Sequence, residues 1–337
     1  MKRNVILGLQ RVTWDEFISS TLSLLSYLGE EIDPSYLTAM SGNAFRMSFD
    51  TNQLNPGQFH VEYNSAIIYH TFDVLGIDAD FNHFTDYDAS KQHIIASIDR
   101  GMPVMVIEGP VSCSGTNLIT GYDEDGDILM GWSAHMDIPD DHNEPHDTTG
   151  YYHKSNWFAQ YRSEGTVSPY PPERRMYVTV KGRKAKPSDK AIALRLLNLA
   201  VRLIEGGEKD GYYRGYPAYG VYADYLVKCS SRFPANYLLL LCNDMMLKDK
   251  LCVPEYLSGL VAVLPEYKKE LEAGAETYRR IAAIVKEMEQ AIPEDFSQPA
   301  IDAFTNLQVR ETYAGNLLRI RDLESEFASG IKLCLAK

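Results

Sequence analysis

The sequence predicts an α+β protein with two domains, an α/β domain followed by an all-α domain. Between Val104 and Trp132, short runs rich in Val, Ile and Thr are bounded by Gly, Pro and Asp, which is typical of strands. Residues 14–28 carry apolar side chains at helical spacing, and helical spacing continues from residue 189 onwards. The 337 residues also favour two domains. We predict that they span residues 1–182 and 183–337.

The predicted elements of the first domain form a central antiparallel sheet with helices around it. The helix over residues 14–28 has Thr13 as its N-cap and Glu16 completing a capping box, and it ends at Gly29. Asp125-Gly126 joins two strands as a hairpin. The remaining elements are a short strand or arm at 2–13, helices at 35–40, 63–75 and 89–99, and strands at 44–49, 77–84 and 176–180.

The second domain is predicted to contain only helices, with prolines at or near their starts. We expect them near residues 189–205, 216–230, 235–248, 254–264, 266–291 and 299–335. The four tyrosines at 216, 219, 222 and 225 share one helical stripe and are predicted to pack in the core. The amphipathic tail suits both intramolecular packing and a homodimer, and the sequence leaves that choice open.

Composition excludes several classes of protein. The formal net charge is −13, the reverse of a nucleic-acid footprint. The five cysteines are odd in number and widely spaced, which favours reduced thiols and a cytoplasmic location. No apolar run approaches the length of a membrane span, and the apolar start is interrupted too early for a secretory signal. Phosphate-binding glycine motifs and G-x-S-x-G are absent, so we expect no cofactor.

Two segments contain residue types that could carry chemistry. Cys113 follows a predicted strand in a Ser/Gly loop, where it is either a nucleophilic thiol or a small half-buried residue. Residues 135–147 are dense in His and Asp, but the two prolines there disfavour the helix that would align His142 and His146 on a metal. We therefore predict a solvated loop or lid and no metal site.

Three stretches together resemble a known family. They are T-W-D-E-F-I-S-S-T-L-S-L-L-S-Y-L-G-E from residue 13, Y-L-T-A-M-S-G-N-A-F-R-M from residue 36, and L-I-T-G-Y-D-E-D-G-D-I-L-M-G-W-S from residue 118. They resemble bacterial proteins of the butirosin biosynthesis protein H type, distant relatives of the papain-like peptidases that process bacteriocin leaders. The resemblance covers roughly residues 8–180, and the helical tail is similar to the second domain of many such proteins. It implies a papain-like first domain.

The resemblance also implies where a site lies. In that family a Cys at the start of the first helix attacks an acyl group, and a His at the head of the next core strand acts as base. Here residues 14–17 read W-D-E-F, and no His lies near residues 115–117. We therefore expect a catalytically degenerate papain-like protein of bacterial specialised metabolism. It would bind a small molecule or peptide between the first helix and the hairpin, in a cleft walled by Trp14, Asn117, Tyr122 and Trp132.

Two alternatives stay open at this point. The protein could be an active acyltransferase or amide hydrolase whose catalytic groups are relocated to Asp15, Glu16, Cys113 or His135, although Glu16 could equally be a capping residue alone. It could also be a non-enzymatic assembly protein that uses the helical domain as an interface.

Overall fold

The chain divides into two compact units. The computed structural model describes residues 2–10, 12, 15–51, 65–107, 116–133, 152–155, 157, 176–209, 211–229, 246–292 and 298–336. The first unit comprises residues 1–34 and 59–186, and the second comprises residues 35–58 and 187–337. The predicted boundary at residue 182 lies close to residue 186, where the first unit ends. Residues 35–58, however, belong to the helical unit and not to the first domain.

The first unit is built on an antiparallel sheet of seven strands. Its strands are β1 (Asn4–Val5), β3 (Ile77–His83), β4 (Val104–Ile107), β5 (Thr116–Asp123), β6 (Ile128–Ser133), β7 (Tyr152–Ser155) and β8 (Met176–Arg183). The order is β3-β8-β4-β5-β6-β7, with β1 paired to the far end of β5. The turn between β5 and β6 contains Gly126 at φ 91°, a conformation that favours glycine. The central strands and this hairpin connection are as predicted.

Three helices in the described part of the first unit accompany this sheet. They are α1 (Glu16–Tyr27), α3 (Ser65–Val74) and α4 (Tyr87–Asp99). The helix α4 lies on one face, where His93 Nδ1 and the Tyr177 hydroxyl are 2.8 Å apart and the Tyr122 hydroxyl donates to Asp99 at 2.8 Å. The helix α1 contacts β5 and is buried over its first ten residues, including four serines and threonines in its middle.

The second unit is mainly helical. Its helices are α2 (Pro34–Ser41, of which Pro34 belongs to the first unit), α5 (Asp189–Glu205), α6 (Tyr216–Lys228), α7 (Val253–Val263), α8 (Lys268–Ala291), α9 (Gln298–Thr305) and α10 (Leu307–Leu335). The residues around Phe45 and Phe49 join its core: Phe45 stacks on Phe327, and Phe49 stacks on Tyr222. These aromatic contacts explain why residues 35–58 fold with the helical unit.

Three sequence-based expectations for this unit are corrected. The unit is not all-α, because β2 (Ser48–Asp50), β10 (Tyr212–Arg214) and β9 (Gly207–Lys209) form a small antiparallel sheet. The strand predicted at 44–49 is instead a 3₁₀ turn at Asn43–Phe45 followed by β2. The helix predicted at 299–335 is two helices, since the Asn306 side chain accepts from Gln308 N at 2.9 Å and starts a new helix.

Candidate functional site

The amino end of α1 is capped by Asp15. Its Oδ1 accepts hydrogen bonds from Phe17 N at 3.1 Å and Ile18 N at 3.3 Å, so it satisfies two of the four amides that a helix start leaves open. The predicted capping box is therefore wrong: the N-cap is Asp15, and Thr13 lies outside the described residues. Glu16 is the first residue of α1, and its side chain contacts strand β5.

Glu16 and Ser20 hold the first residue of β5. Thr116 N donates to Glu16 Oε2 at 3.2 Å, and Ser20 Oγ donates to Thr116 O at 3.3 Å. Both polar atoms of one backbone residue are thus bonded by side chains one helical turn apart. All three residues are buried. Sequence analysis missed Ser20 and Thr116, because several serines and threonines of α1 are equally polar and nothing local singles out Ser20.

Trp132 lies close to this junction. It is paired with Leu118 across β5 and β6, which puts its Cα about 8 Å from that of Thr116. Its side chain is 2% exposed, and its indole Nε1 has no hydrogen-bond acceptor among the residues that the structure describes. A buried donor of this kind costs free energy unless a partner supplies an acceptor.

The other two predicted wall residues lie elsewhere. Residues directly opposite in an antiparallel pair share a face, and Asn117 pairs with Ser133 whereas Trp132 pairs with Leu118. Asn117 is therefore on the opposite face from Trp132. Tyr122 lies at the far end of β5, on the face covered by α4, where its hydroxyl binds Asp99. The sheet thus separates residues that the sequence grouped into one cleft, because neither the strand register nor the bulge near Thr120 was predictable.

Several predicted site residues cannot be placed. Trp14, Cys113, His135 and the whole segment 135–147 lie outside the described residues. The three cysteines that are described are Cys229, Cys252 and Cys334, all in the helical unit. Within the described part of the chain, no cluster of three metal-ligand side chains occurs. None of the described helices combines the length and apolarity needed to cross a membrane.

A second polar cluster is buried in the helical unit. Lys250 Nζ donates to Glu324 Oε1 at 2.7 Å and to the carbonyl oxygens of Arg46 at 3.1 Å and Ala44 at 3.3 Å. Glu324 also accepts from the hydroxyls of Tyr219 at 2.9 Å and Tyr278 at 3.1 Å. These three acceptors take all three protons of the ammonium group. The lysine therefore stabilises the helical unit and has no donor left for a ligand.

The described polar contacts at the amino end of α1 include the hydrogen bonds of Asp15, Glu16 and Ser20. The Glu16 carboxylate accepts from the backbone amide of Thr116, and the three described cysteines all lie in the other unit. An acyl-transfer site needs a nucleophile, a base and an orienting group in mutual contact.

In comparisons with known proteins, no family model matches this chain, and no curated protein matches it.

Proposed function

We propose that the first unit is a papain-like domain that has lost the catalytic Cys and His of its relatives and binds a small molecule or peptide at the amino end of α1. The observation that carries this proposal is the double hydrogen bond of Glu16 and Ser20 to Thr116. In the family that the sequence resembles, the start of the first helix and the head of the next core strand bear the nucleophile and the base. We assign Glu16 and Thr116 to these two positions, and the hydrogen bond between them supports the assignment.

The chemistry of the junction favours a ligand with a neutral carbonyl oxygen. Asp15 and Glu16 are buried acids beside it, and they would repel a carboxylate. Trp132 is paired with Leu118, which is two residues along β5 from Thr116. Its indole N–H lacks an acceptor among the described residues. An amide or ester carbonyl would supply that acceptor without adding negative charge, which favours a peptide or an acyl compound.

We place this binding protein in the cytoplasm of a bacterium, as a component of specialised metabolism. The wide spacing of the cysteines supports a reducing compartment. The resemblance in residues 8–180 supports the bacterial source and the role in specialised metabolism.

A thermal-shift screen tests the proposal. Peptides, acyl compounds and amines are added to the purified protein, and a binder at about a hundred times its Kd is expected to stabilise the fold by about 2.7 kcal/mol, which raises Tm by several degrees. A complete absence of shifts across all three classes would remove the proposal.

A pair of matched tryptophan variants locates the binding. Trp132→Phe removes the indole N–H near the junction, and the ligand-induced shift is expected to disappear. Trp157→Phe is the control, because Trp157 donates to Gly126 O at 3.0 Å near the turn of the β5–β6 hairpin, away from Thr116. The control should keep the ligand-induced shift although its own Tm falls. Equal ligand responses in both variants would place the ligand elsewhere.

A further inference from the structure

A groove runs between α8 and α10 on the surface of the helical unit. It contains two adjoining cavities of about 460 and 390 Å³ that share Glu287 and Arg319. Its floor is apolar, with Ile284, Met288 and Leu323 largely covered by their own unit. The two helices are antiparallel along it. The groove spans about 27 Å of α10, from Gln308 to Glu326.

Charged residues bridge the groove at two levels. Arg280 Nη1 on α8 lies 3.9 Å from Glu326 Oε2 on α10. Arg319 Nη1 on α10 lies 3.9 Å from Glu287 Oε2 on α8. The side chains of all four residues are more than half exposed. The signs alternate: at one level the cation is on α8, and at the other level, two helical turns away, it is on α10.

This alternation makes the groove complementary to itself. A face-to-face pair of identical surfaces is related by a two-fold axis lying in the interface. If the axis runs along the helices, α8 of one copy covers α10 of the other at the same level, so Arg280 meets Glu326 and Glu287 meets Arg319. If the axis crosses the helices, each helix covers its own counterpart with the levels exchanged, so Arg280 meets Glu287 and Arg319 meets Glu326. Opposite charges face each other in both arrangements.

The net charge of the chain points to the same surface. With a formal charge of −13, two copies carry a net repulsion for each other. The four bridging residues carry two positive and two negative charges, so this patch is locally balanced apart from the neighbouring Asp322. Electrostatic complementarity of this kind selects orientation and disfavours other contacts.

We propose that the groove between α8 and α10 is the interface of a homodimer, in which the two helix pairs form a four-helix bundle. Two helices of about 10 Å diameter over about 27 Å bury roughly 1,000 Å² in total, which is at the low end for specific interfaces. The dimer is therefore a weak one, with dissociation in the micromolar range, and it depends on the four bridging charges.

Sedimentation equilibrium over a concentration series tests this dimer. The wild-type protein is expected to pass from monomer to dimer below about 1 mM. The variant Arg280→Glu/Arg319→Glu makes all four bridging positions acidic, and it is expected to raise the dissociation constant at least about tenfold. Exposed ion pairs add little to folding, so its circular dichroism and Tm should stay close to wild type.

The matched control separates local charge from net charge. Arg279→Glu/Arg321→Glu changes the net charge by the same amount on the same two helices. Arg279 bonds to Glu276 and Arg321 to Asp322, and neither lines the groove. This control should dimerise almost as well as the wild type. If it dissociates as strongly as the first variant, the effect is general repulsion and the proposed interface is wrong.

A complementing variant gives a positive test. Glu287→Arg/Glu326→Arg makes the four positions basic and is expected to be monomeric alone. Mixed with the acidic variant, it should form a heterodimer, because every facing pair regains opposite charges under either two-fold axis. Failure of the mixture to associate would overturn the proposal, as would a wild-type protein that stays monomeric throughout the concentration series.

Discussion

Glu324 is a fully buried carboxylate whose charge is compensated within the helical unit. It accepts from one ammonium group and two phenolic hydroxyls, those of Lys250, Tyr219 and Tyr278. Burial, and then the negative charge of Glu324, raise the pKa of Tyr219 and of Tyr278 well above the ordinary value of 10.0. Both phenols therefore stay protonated in the folded protein, where they serve as donors.

These two tyrosines predict a loss of stability in alkali. Their pKa is higher in the folded than in the unfolded protein, so their contribution is intact below pH 10 and declines as the unfolded state ionises above it. Each tyrosine should lower the free energy of unfolding by about 1.4 kcal/mol per pH unit in that range. Urea unfolding at a series of pH values measures this slope.

The variant Tyr219→Phe provides the comparison. At neutral pH it should lose about 1.5 to 3 kcal/mol, since a hydrogen bond to a charged acceptor is removed. Above pH 10 its stability should fall less steeply than that of the wild type, because one fewer proton is released on unfolding. Identical slopes would show that Tyr219 ionises in the folded state.

At the scale of elements, the β5–β6 pair depends on a close backbone approach at Gly131. A Cβ built there would lie 2.1 Å from Leu118 O, which is a backbone atom and cannot move aside without separating the strands. Because Leu118 and Trp132 are paired next to it, this contact also fixes the position of Trp132 near the start of β5. A small residue is thus required for the geometry of the candidate site.

Two glycine-to-alanine variants test this requirement. Gly131→Ala is expected to destabilise the protein by about 1 to 3 kcal/mol, because it overpacks the sheet. Gly220→Ala on α6 meets nothing within 4 Å and should stabilise the protein by about 0.5 to 1 kcal/mol, through its better helix propensity. Chemical denaturation of the two variants measures both effects. A Gly131→Ala protein as stable as the wild type would mean that the strands separate at little cost.

At the scale of the whole molecule, residues 35–58 complete the helical unit. They supply β2 to its small sheet, the rings of Phe45 and Phe49 to its core, and the carbonyl oxygens of Ala44 and Arg46 to Lys250. A buried ammonium group that loses two of three acceptors is strongly unfavourable. The helical unit is therefore not specified by the C-terminal half of the sequence alone.

A fragment experiment tests this dependence. Residues 187–337 alone are expected to lack a cooperative unfolding transition, since removing partners from a buried ion costs about 3 to 5 kcal/mol. Addition of a peptide of residues 35–58 should restore the transition in circular dichroism. The same peptide with Phe45→Ala is the control and should restore it poorly. A fragment that unfolds cooperatively without any peptide would contradict the role assigned to this segment.

The sequence by itself determined most of the helices, the central strands and the presence of a C-terminal helical region. Apolar periodicity and the residues that end elements are local signals, and they located α5 at Asp189–Glu205 as predicted. A papain-like topology and a degenerate site remain predictions from resemblance. The cap at Asp15 was missed by two residues and the break at Asn306 was missed altogether, because neighbouring side chains compete for the same backbone amides.

Only the tertiary structure decided which distant residues meet. The bonds of Glu16 and Ser20 to Thr116 span about a hundred positions of the sequence, and those of Lys250 to residues 44 and 46 span about two hundred. Strand register decided that Asn117 and Trp132 occupy opposite faces of the sheet. Local propensity carries no information on such pairings. They follow from the burial of a complete core in each unit, in which each buried polar group must find a partner.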